Sequence, residues 1–317
     1  MIILSNGHAF EHVAGSGALA FDGYGWPWEW PLVATKLIRP ELFSVAIKTL
    51  TRHPRKGNLR MWKPWECVRL IPGGSVNKVG LTNPGAEWWV KKVGPKLDFE
   101  RVPLIASIWG TPQENMEMAE MLDPFDFVAI VVNDSCPNTG HALEGAESAI
   151  RNVTGVKSRT HHPVIVKLSV AQPYLAIAAG LKGIAEAVAL NSVPWEMVFP
   201  SKRSPLWKLE QRVKGGGGGV SGIPAQPFNW KAVQELSAQD ALPVIAPGIM
   251  SFDDLAKVRR MGAKAASFGA CFLRSPTLPT QIVMRDYAEG GANCLIQYKR
   301  QQFLEAEALR VKQGALA

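Results

Sequence analysis

Two asparagines and a cysteine lie together in one polar segment that follows a run of apolar residues. In Asn133-Asp134-Ser135-Cys136-Pro137-Asn138-Thr139-Gly140 the asparagines bracket Cys136 within a turn. An asparagine amide both donates and accepts hydrogen bonds, which suits the amide or imide edge of a planar ligand. A loop cysteine can act as a base or a nucleophile when its pKa matches the task. The segment therefore favours proton transfer on a small polar ligand, although a plain turn could have the same composition.

A lysine ends another apolar run. Lys167 directly follows Val164-Ile165-Val166. If this run is a buried strand, the ammonium lies at the strand end and needs an anion or a carbonyl group to offset its desolvation. A lysine whose stem is buried and whose ammonium reaches solvent is the alternative.

Two glycine turns follow late apolar runs and could bind a phosphate. Pro243–Ile249 ends in Gly248-Ile249, and about twenty residues later Ala265–Ala270 ends in Gly269-Ala270. Glycine lets backbone N–H groups approach a phosphate, and the start of a following helix favours negative charge there. The sequence has neither GxGxxG between a strand and a helix nor GxxxxGK[ST]. The pattern therefore predicts a phosphate-bearing cofactor outside the dinucleotide and P-loop folds, with tight turns that bind nothing as the alternative.

The elements that must position these residues alternate along the chain. Short apolar runs predict buried strands at Pro31–Leu37, Val102–Ile108, Phe125–Val132, Pro163–Leu168, Ala185–Leu190, Pro243–Ala246 and Ala265–Phe268. Helical spacing follows at Thr111–Leu122, Gln172–Lys182, Trp230–Gln239 and Ser251–Met261, the last with a capping-box start and Gly262 at its end. Repeated strand–helix units predict a parallel sheet.

The number of units and the polar residues at the strand ends predict an α/β fold of the (β/α)8 TIM-barrel type. In a barrel the strand ends converge on one face, which would bring Asn133, Lys167 and Asn191 together with the glycine turns. We expect one domain over residues 1–317. Residues 1–30 should form an N-terminal cap, and residues 39–101 an irregular excursion beside the barrel mouth.

Composition and charge restrict the class of protein. The chain has 317 residues, 47% of them apolar and 20% charged, and a formal net charge of +8. It has no apolar stretch long enough to span a bilayer and no signal-peptide pattern at its start. Four scattered cysteines argue against zinc or disulfide frameworks, so we expect a cytoplasmic protein without a metal site. The basic residues form no nucleic-acid-binding pattern, so small anions are the expected ligands.

Taken in order, the motifs resemble the dihydroorotate dehydrogenase family of flavin enzymes, over nearly the whole chain. The matching segments are Ala14–Gly17, Val33–Lys36, Pro54–Asn58, Asn77–Asn83, Asn133–Thr139, Lys167, Asn191-Ser192, Gly218–Gly222, Gly248-Ile249 and Gly269-Ala270. No single motif is specific, but their shared order is.

The resemblance implies FMN at the barrel mouth and oxidation of dihydroorotate to orotate in pyrimidine biosynthesis. Cys136 would take the C5 proton while hydride leaves C6 for the flavin, and Lys167 would stabilise charge on the reduced flavin. The implied substrate-binding residues are Lys36, Asn77, Gly80, Leu81, Asn133, Asn138, Asn191 and Ser192. The implied FMN-binding residues are Ala14, Gly15, Thr35, Lys36, Asn133, Lys167, Ser221, Gly222, Gly248, Ile249, Gly269 and Ala270.

Some features leave alternatives open. Cysteine at position 136 resembles the soluble class of the family, whereas the following Asn-Thr-Gly is closer to the quinone-linked class. Asp134 and Pro247 depart from the family's pattern, so a related flavin barrel acting on another dihydropyrimidine, free or in tRNA, is the alternative enzyme. A flavin- or phosphate-binding barrel without activity is the alternative that is not an enzyme.

The resemblance implies a homodimer, and the electron acceptor could be fumarate, a quinone, or NAD through an electron-transfer subunit. The tryptophans could pack the irregular segments, form an oligomer interface or form an electron-acceptor site.

Overall fold

The computed structural model describes residues 1–60, 62–135, 145–213 and 216–290. Strands and helices are numbered in chain order. The strands are β1 (Ile2–Ile3), β2 (Ala9–Phe10), β3 (His12–Ala14), β4 (Ser44–Ala46), β5 (Val68–Ile71), β6 (Gly74–Asn77), β7 (Leu104–Ile108), β8 (Ala129–Asn133), β9 (Val164–Leu168), β10 (Ala187–Leu190), β11 (Val193–Pro194), β12 (Gly219–Gly222), β13 (Val244–Ala246) and β14 (Ala265–Phe268). The helices are α1 (Trp30–Ala34), α2 (Ala86–Lys92), α3 (Pro112–Leu122), α4 (Ala146–Lys157), α5 (Tyr174–Gly180), α6 (Trp195–Val198), α7 (Trp207–Glu210), α8 (Gln226–Gln239), α9 (Phe252–Arg260), α10 (Ala270–Arg274) and α11 (Leu278–Ala288).

Eight parallel strands close into a barrel, which confirms the predicted TIM-barrel fold. Around the barrel their order is β3, β4, β7, β8, β9, β10, β13 and β14, and β14 pairs with β3 to close the ring. Helices lie between successive strands along the chain. Because all eight strands run in the same direction, their carboxyl ends form one face of the molecule, where the loops can build a site.

Side-chain alternation along the strands separates the barrel interior from its outer shell. One buried cluster contains Val13, Ala46, Ile105, Val131 and Ile165 together with residues of the other barrel strands and of the N-terminal hairpin, and it fills the interior. The intervening residues pack outward against the helices. Since β1 and β2 contribute to the interior cluster beside the first residues of several barrel strands, the N-terminal hairpin covers the end of the barrel where the strands begin.

One predicted strand is wrong. The run Pro31–Leu37 was expected to form a strand, but residues Trp30–Ala34 form the helix α1. Pro31 occupies the first turn of that helix, where its missing N–H group costs no hydrogen bond. The first two barrel strands are instead β3 and β4, which lie in segments that we had assigned to the cap and the excursion.

The excursion also contains regular structure. Strands β5 and β6 form an antiparallel hairpin, and β12 and β11 extend it into a four-stranded sheet in the order β11, β12, β6, β5. Arg274 of α10 donates from Nη1 to the carbonyls of Ile71 (2.8 Å) and Gly74 (3.0 Å), which anchors the hairpin to the barrel. Elsewhere the predicted capping box of Ser251 and Asp254 is confirmed at the start of α9.

Most of the described tryptophans are either buried or exposed, and three are half-buried. Trp89, Trp195 and Trp230 are buried, which agrees with a packing role. Trp28, Trp30, Trp62, Trp65 and Trp88 are exposed, and Trp28 stacks on Trp26 with ring centres 5.4 Å apart. None of the helices in the described ranges has both the length and the apolar character needed to cross a membrane.

Candidate active site

The uppermost interior layer of the barrel is polar. Side chains alternate along a strand, so the residue two positions beyond an interior residue also faces inward. From Ala46, Ile105, Val131 and Ile165 this rule places Lys48, Ser107, Asn133 and Lys167 inside, at the carboxyl ends of four consecutive barrel strands. Asn133 and Lys167 are also direct register partners on β8 and β9. The barrel therefore brings two of the predicted site residues side by side and adds a second lysine.

Hydroxyl groups connect the ends of the first strands. Ser16 Oγ donates to the Ile47 carbonyl (2.8 Å) and lies 2.9 Å from Thr49 Oγ1. Thr49 Oγ1 lies 2.9 Å from Ser107 Oγ and 3.5 Å from Asn133 Nδ2. These contacts fix the loops after β3 and β4 against the end of β8. Sequence reasoning missed Ser16, Thr49 and Ser107 in this role, because single hydroxyl residues carry no motif.

Two of the predicted asparagines are joined through Ser135. Ser135 Oγ donates to Asn133 Oδ1 (2.8 Å), and Asn191 Nδ2 donates to Ser135 Oγ (2.8 Å). Asn133 and Ser135 are buried, so this bridge holds both amides at fixed positions. It also fixes the point at which the chain leaves β8 toward Cys136. Cys136 and Asn138 themselves lie outside the described residues.

The unusual Asp134 points away from Asn133. Its carboxylate accepts hydrogen bonds from Asn152 Nδ2 (3.1 Å) and Gln172 Nε2 (3.3 Å), on the side of α4 and the start of α5. Asn133 instead contacts Thr49 and Ser135. As expected for consecutive residues at a strand end, the carboxylate serves to anchor neighbouring elements and not to line the polar layer.

The two glycine turns present unpaired amide groups. Strands β13 and β14 are hydrogen-bonded neighbours, so their ends lie side by side. The N–H groups of Gly248, Ile249, Gly269 and Ala270 find no acceptor within the described parts of the chain. The carbonyls of Pro247 and Gly248 are turned toward α8, where Trp230 Nε1 (3.0 Å) and Gln226 Nε2 (2.8 Å) donate to them. Such a group of amides is suited to a phosphate.

The remaining predicted cofactor positions surround these turns. A Cβ placed on Gly15 would lie 3.4 Å from Gly269 Cα, and one placed on Gly248 would lie 4.0 Å from the Gly222 carbonyl oxygen. Ala14, Gly15, Ser221 and Gly222 therefore lie beside the amide group. A Cβ placed on Gly269 would meet no atom of the described residues within 4 Å, which leaves room for a ligand in front of that turn. The residues present thus fit a phosphate-bearing cofactor.

The predicted substrate loop follows β6. Asn77 ends the strand and pairs with Gly219 of β12, while Gly80 and Leu81 both have left-handed backbone angles (φ +67° and +58°). Arg55 Nε donates to the Gly80 carbonyl (3.0 Å), and Asn83 Nδ2 donates to the Leu81 carbonyl (2.7 Å). The amides of Gly80 and Leu81 have no acceptor among the described residues, so they can serve an anionic ligand. Ser192 lies between Asn191 and β11, the strand that belongs to the same four-stranded sheet as β6.

Thr35 and Lys36 are not placed with the other predicted residues. They follow helix α1 and are exposed, and the Thr35 hydroxyl donates to the Pro31 carbonyl (2.8 Å) within the helix end. The expectation that they end the first barrel strand is therefore wrong. Lys48, two residues after the end of β4, occupies the strand-end position that was expected of Lys36.

Lys48 also lies near the substrate loop. A Cβ on Gly17 would be 3.5 Å from its Cγ. Burial raises the pKa of the Cys67 thiol to about 11, and the Lys48 charge opposes this rise. Cys67 in turn accepts a hydrogen bond from the Lys78 amide (2.7 Å) in the substrate loop.

Two groups of potential metal ligands occur among the described residues, and both have structural explanations. In the group of Asp123, His161 and His162, the Asp123 carboxylate already accepts hydrogen bonds from the Thr160 hydroxyl (2.6 Å) and the His161 amide (2.9 Å). In the group of Glu11, His12 and Asp286, the guanidinium of Arg259 already lies 3.1 Å from Glu11 and 2.6 Å from Asp286.

Comparison with known proteins agrees with this geometry. The sequence pattern of the dihydroorotate dehydrogenase family matches residues 34–285. An Aeropyrum pernix protein, named provisionally as dihydroorotate dehydrogenase A (fumarate), is 33% identical over 242 residues, which cover 73% of this chain and 74% of that protein. The catalytic subunit of dihydroorotate dehydrogenase B (NAD(+)) from Thermoanaerobacter pseudethanolicus is 32% identical over 252 residues, with 77% and 80% covered. Its counterpart from Desulforudis audaxviator is 33% identical over 245 residues, with 74% and 76% covered. The chain belongs to the dihydroorotate dehydrogenase family of oxidoreductases.

Proposed function

We propose that this chain oxidises dihydroorotate to orotate with FMN as its cofactor, in pyrimidine biosynthesis. The observation that carries the proposal is the group of unpaired amides after β13 and β14, on the same barrel face as the polar layer of Asn133 and Lys167. A phosphate site beside a cluster of amide and ammonium groups matches a flavin nucleotide with a polar planar substrate. We further propose that residues 1–317 act as one FMN-binding domain.

The proposed cofactor contacts use groups on four loops. The amides of Gly248, Ile249, Gly269 and Ala270 would hold the phosphate, while Ala14, Gly15, Asn133, Ser221 and Gly222 would lie against the rest of FMN. Lys167, on β9, would place its positive charge at the pyrimidine edge of the ring system. When bound, FMN supplies a two-electron acceptor that takes hydride from the substrate.

The proposed substrate contacts are amides, hydroxyls and a lysine. The side chains of Asn77, Asn133, Asn138, Asn191 and Ser192 would bind the dihydropyrimidine ring, and the amides of Gly80 and Leu81 would bind its carboxylate. Lys48 takes the role expected of Lys36, because it follows β4 by two residues, on the side of the interior residue Ala46 and beside Thr49. A cation there would pair with the substrate's carboxylate.

Cys136 would be the base of the reaction. As a thiolate it would remove the C5 proton, and the electron pair of that C–H bond would form the C5–C6 double bond as hydride leaves C6. Ser135, the residue directly before this cysteine, is fixed by Asn133 and Asn191. The Asp134 carboxylate accepts hydrogen bonds from Asn152 and Gln172, on the opposite side of the strand end from Asn133.

The electron acceptor and the assembly are further parts of the proposal. The similar proteins are named for two acceptors, fumarate and NAD(+), and those named for NAD(+) are called catalytic subunits. We propose a cytoplasmic homodimer whose flavin is reoxidised either by fumarate or through an electron-transfer subunit. A related enzyme acting on another dihydropyrimidine is the competing function.

The test is a substrate comparison with FMN-loaded protein. Dihydroorotate, dihydrouracil and dihydrothymine are each supplied with fumarate or an artificial acceptor, and the products are separated by chromatography. Orotate as the principal product supports the proposal. Oxidation of dihydrouracil in preference to dihydroorotate would favour the competing enzyme, and no product from any of the three would contradict both.

A further inference from the structure

Lys78 is a fully buried lysine inside the proposed substrate loop. Its side chain has no exposed surface, and Nζ donates hydrogen bonds to the carbonyls of Val213 (2.9 Å) and Gly216 (2.7 Å). Burying an ammonium group is costly unless hydrogen bonds replace its water shell. A lysine is therefore not expected at this position for packing alone.

The backbone of Lys78 is held as firmly as its side chain. Its amide donates to the Cys67 carbonyl (2.7 Å), and its carbonyl accepts from Asn58 Nδ2 (2.9 Å). It directly follows Asn77 and precedes Gly80 by two residues. Any displacement of the ammonium would thus be transmitted to the residues proposed to bind the substrate.

The ammonium donates to the glycine-rich segment before β12, which contains Gly216, Gly217 and Gly218. Within that segment the Gly217 amide donates to the Glu196 carboxylate, and a Cβ on Gly218 would lie 2.8 Å from the Asn77 carbonyl oxygen. The segment therefore passes within contact distance of the substrate loop. It continues directly into Ser221 and Gly222, which are proposed to contact FMN.

Burial and two nearby carboxylates have opposite effects on the pKa of Lys78. Burial lowers the pKa of the Lys78 ammonium, and the carboxylates of Glu210 and Glu196 oppose this change. Glu196 lies on α6 and Glu210 on α7, in the same connection between β11 and β12 as the two carbonyl acceptors. The ammonium thus joins this connection to the substrate loop through two hydrogen bonds.

We propose that Lys78 is a positioning residue, which locks the substrate loop onto the glycine-rich segment and so sets the spacing between the substrate-binding residues and the Ser221-Gly222 turn. The substrate half of this inference rests on the proposed function. Lys78 itself touches neither ligand and acts through Asn77 and the amides of Gly80 and Leu81.

The experiment compares Lys78→Met with Arg69→Met in FMN-loaded protein. Methionine keeps the length of the lysine stem but removes the donors, and Arg69 is an exposed cation on β5 of the same sheet. Hydrogen exchange of peptides covering residues 216–222 is measured in each, together with the dissociation constant for orotate from the flavin spectrum. We expect Lys78→Met to speed exchange and weaken orotate binding, each by about tenfold or more, the scale of lost charge-assisted hydrogen bonds. Arg69→Met should stay within about twofold of the parent.

The outcomes separate the two proposals. Faster exchange with weaker orotate binding supports the positioning role, and Lys78→Arg should then recover part of both. Faster exchange in a protein whose parent binds no orotate supports the locking contact and removes orotate as the ligand. Unchanged exchange, or faster exchange with unchanged orotate affinity, overturns the positioning role. If Lys78→Met does not fold, Lys78→Gln, which keeps one donor, is compared in the same way.

Discussion

At the scale of single residues, Lys48 offers the simplest test of the proposed substrate site. It follows the interior residue Ala46 of β4 by two residues and precedes Thr49, which contacts Ser107 and Asn133. We expect Lys48→Ala to weaken orotate binding by about tenfold to a hundredfold, because a charge-assisted hydrogen bond is lost. Titration of the flavin spectrum with orotate measures this. Lys36→Ala, on an exposed residue after α1, is the matched control and should bind orotate as the unmodified protein does. Weaker orotate binding by Lys36→Ala than by Lys48→Ala would contradict the assignment of Lys48 to the substrate site.

A second prediction at this scale concerns Cys136. Replacing it with alanine should leave FMN binding intact, because the phosphate turns do not involve it. Reduction of the flavin by dihydroorotate should become slower by about a hundredfold or more, the usual effect of losing a general base. Anaerobic stopped-flow absorbance measures the rate. Reduction at the parent rate would remove Cys136 from the reaction.

Lys36 and Lys48 also show which property of a site residue cannot be predicted from the sequence alone. Val33-Ala34-Thr35-Lys36 and Val45-Ala46-Ile47-Lys48 are both short apolar runs that end in lysine. Only the second pairs with neighbouring strands, through Val45 and Ala46 with β7. Strand pairing is a long-range property, so a four-residue run does not reveal it, although Pro31 before the first run indicates a helix start.

At the scale of elements, the turn after β14 can be tested without disturbing the fold. Gly269 has φ of −122°, which other residues can adopt, and a Cβ there meets nothing within 4 Å. We therefore expect Gly269→Val to fold with nearly the parent's stability while losing most of its FMN, because the added side chain fills the space in front of the amides. The ratio of flavin to protein absorbance and a thermal melt measure the two effects.

Gly145→Val is the matched control for this change. Among residues 1–60, 62–135, 145–213 and 216–290, a Cβ on Gly145, at the start of α4, also meets nothing within 4 Å. This variant should retain FMN. If Gly269→Val kept its full FMN content, the phosphate would have to lie elsewhere.

Elements were predicted well where they are long and regularly spaced. Five of the barrel strands, β7, β8, β9, β10 and β14, have at least four residues, and apolar runs identified them. Strands β3 and β4 have three residues each and lie among Gly- and Trp-rich segments, so neither shows a period. Their role as strands follows from pairing with β14 and β7, which a single sequence does not display.

At the scale of the whole molecule, a buried ion-pair network joins the first and last parts of the barrel. Asp286 of α11 accepts hydrogen bonds from His12 Nε2 (2.8 Å) on β3 and from both Nη atoms of Arg259 (2.7 and 2.6 Å) on α9. Burial would raise the pKa of Asp286, but the hydrogen bonds from Arg259 and His12 hold it at about 2. The network closes the ring where β14 meets β3.

This network predicts how stability depends on pH. The folded pKa of Asp286 is below its usual value of 3.8, so its stabilising effect is present above pH 4 and is lost as the pH falls toward 2. We expect Asp286→Asn to lower the free energy of unfolding by about 3 kcal/mol at pH 7, with a difference that narrows below pH 4. Urea unfolding at several pH values measures this. Glu289→Gln, in an exposed pair with Arg285, should cost less than about 1 kcal/mol, and an equal cost for both variants would contradict the assignment.

The barrel itself could be predicted from the sequence, because repeated strand–helix units and polar residues after the strands constrain the whole chain at once. The network of Glu11, His12, Arg259 and Asp286 could not, since its members are up to 275 residues apart and form no motif. The same holds for Lys78, whose acceptors lie more than 130 residues later in the chain.

The most direct test of the central claim is the absorption spectrum of the purified protein, recorded anaerobically before and after dihydroorotate is added. The account predicts flavin bands in the first spectrum and their bleaching in the second, because the substrate's hydride passes to FMN. Flavin bands that persist would contradict dihydroorotate as the substrate while leaving the phosphate site in place. A protein that stays colourless even after incubation with FMN would contradict the phosphate site formed by Gly248, Ile249, Gly269 and Ala270.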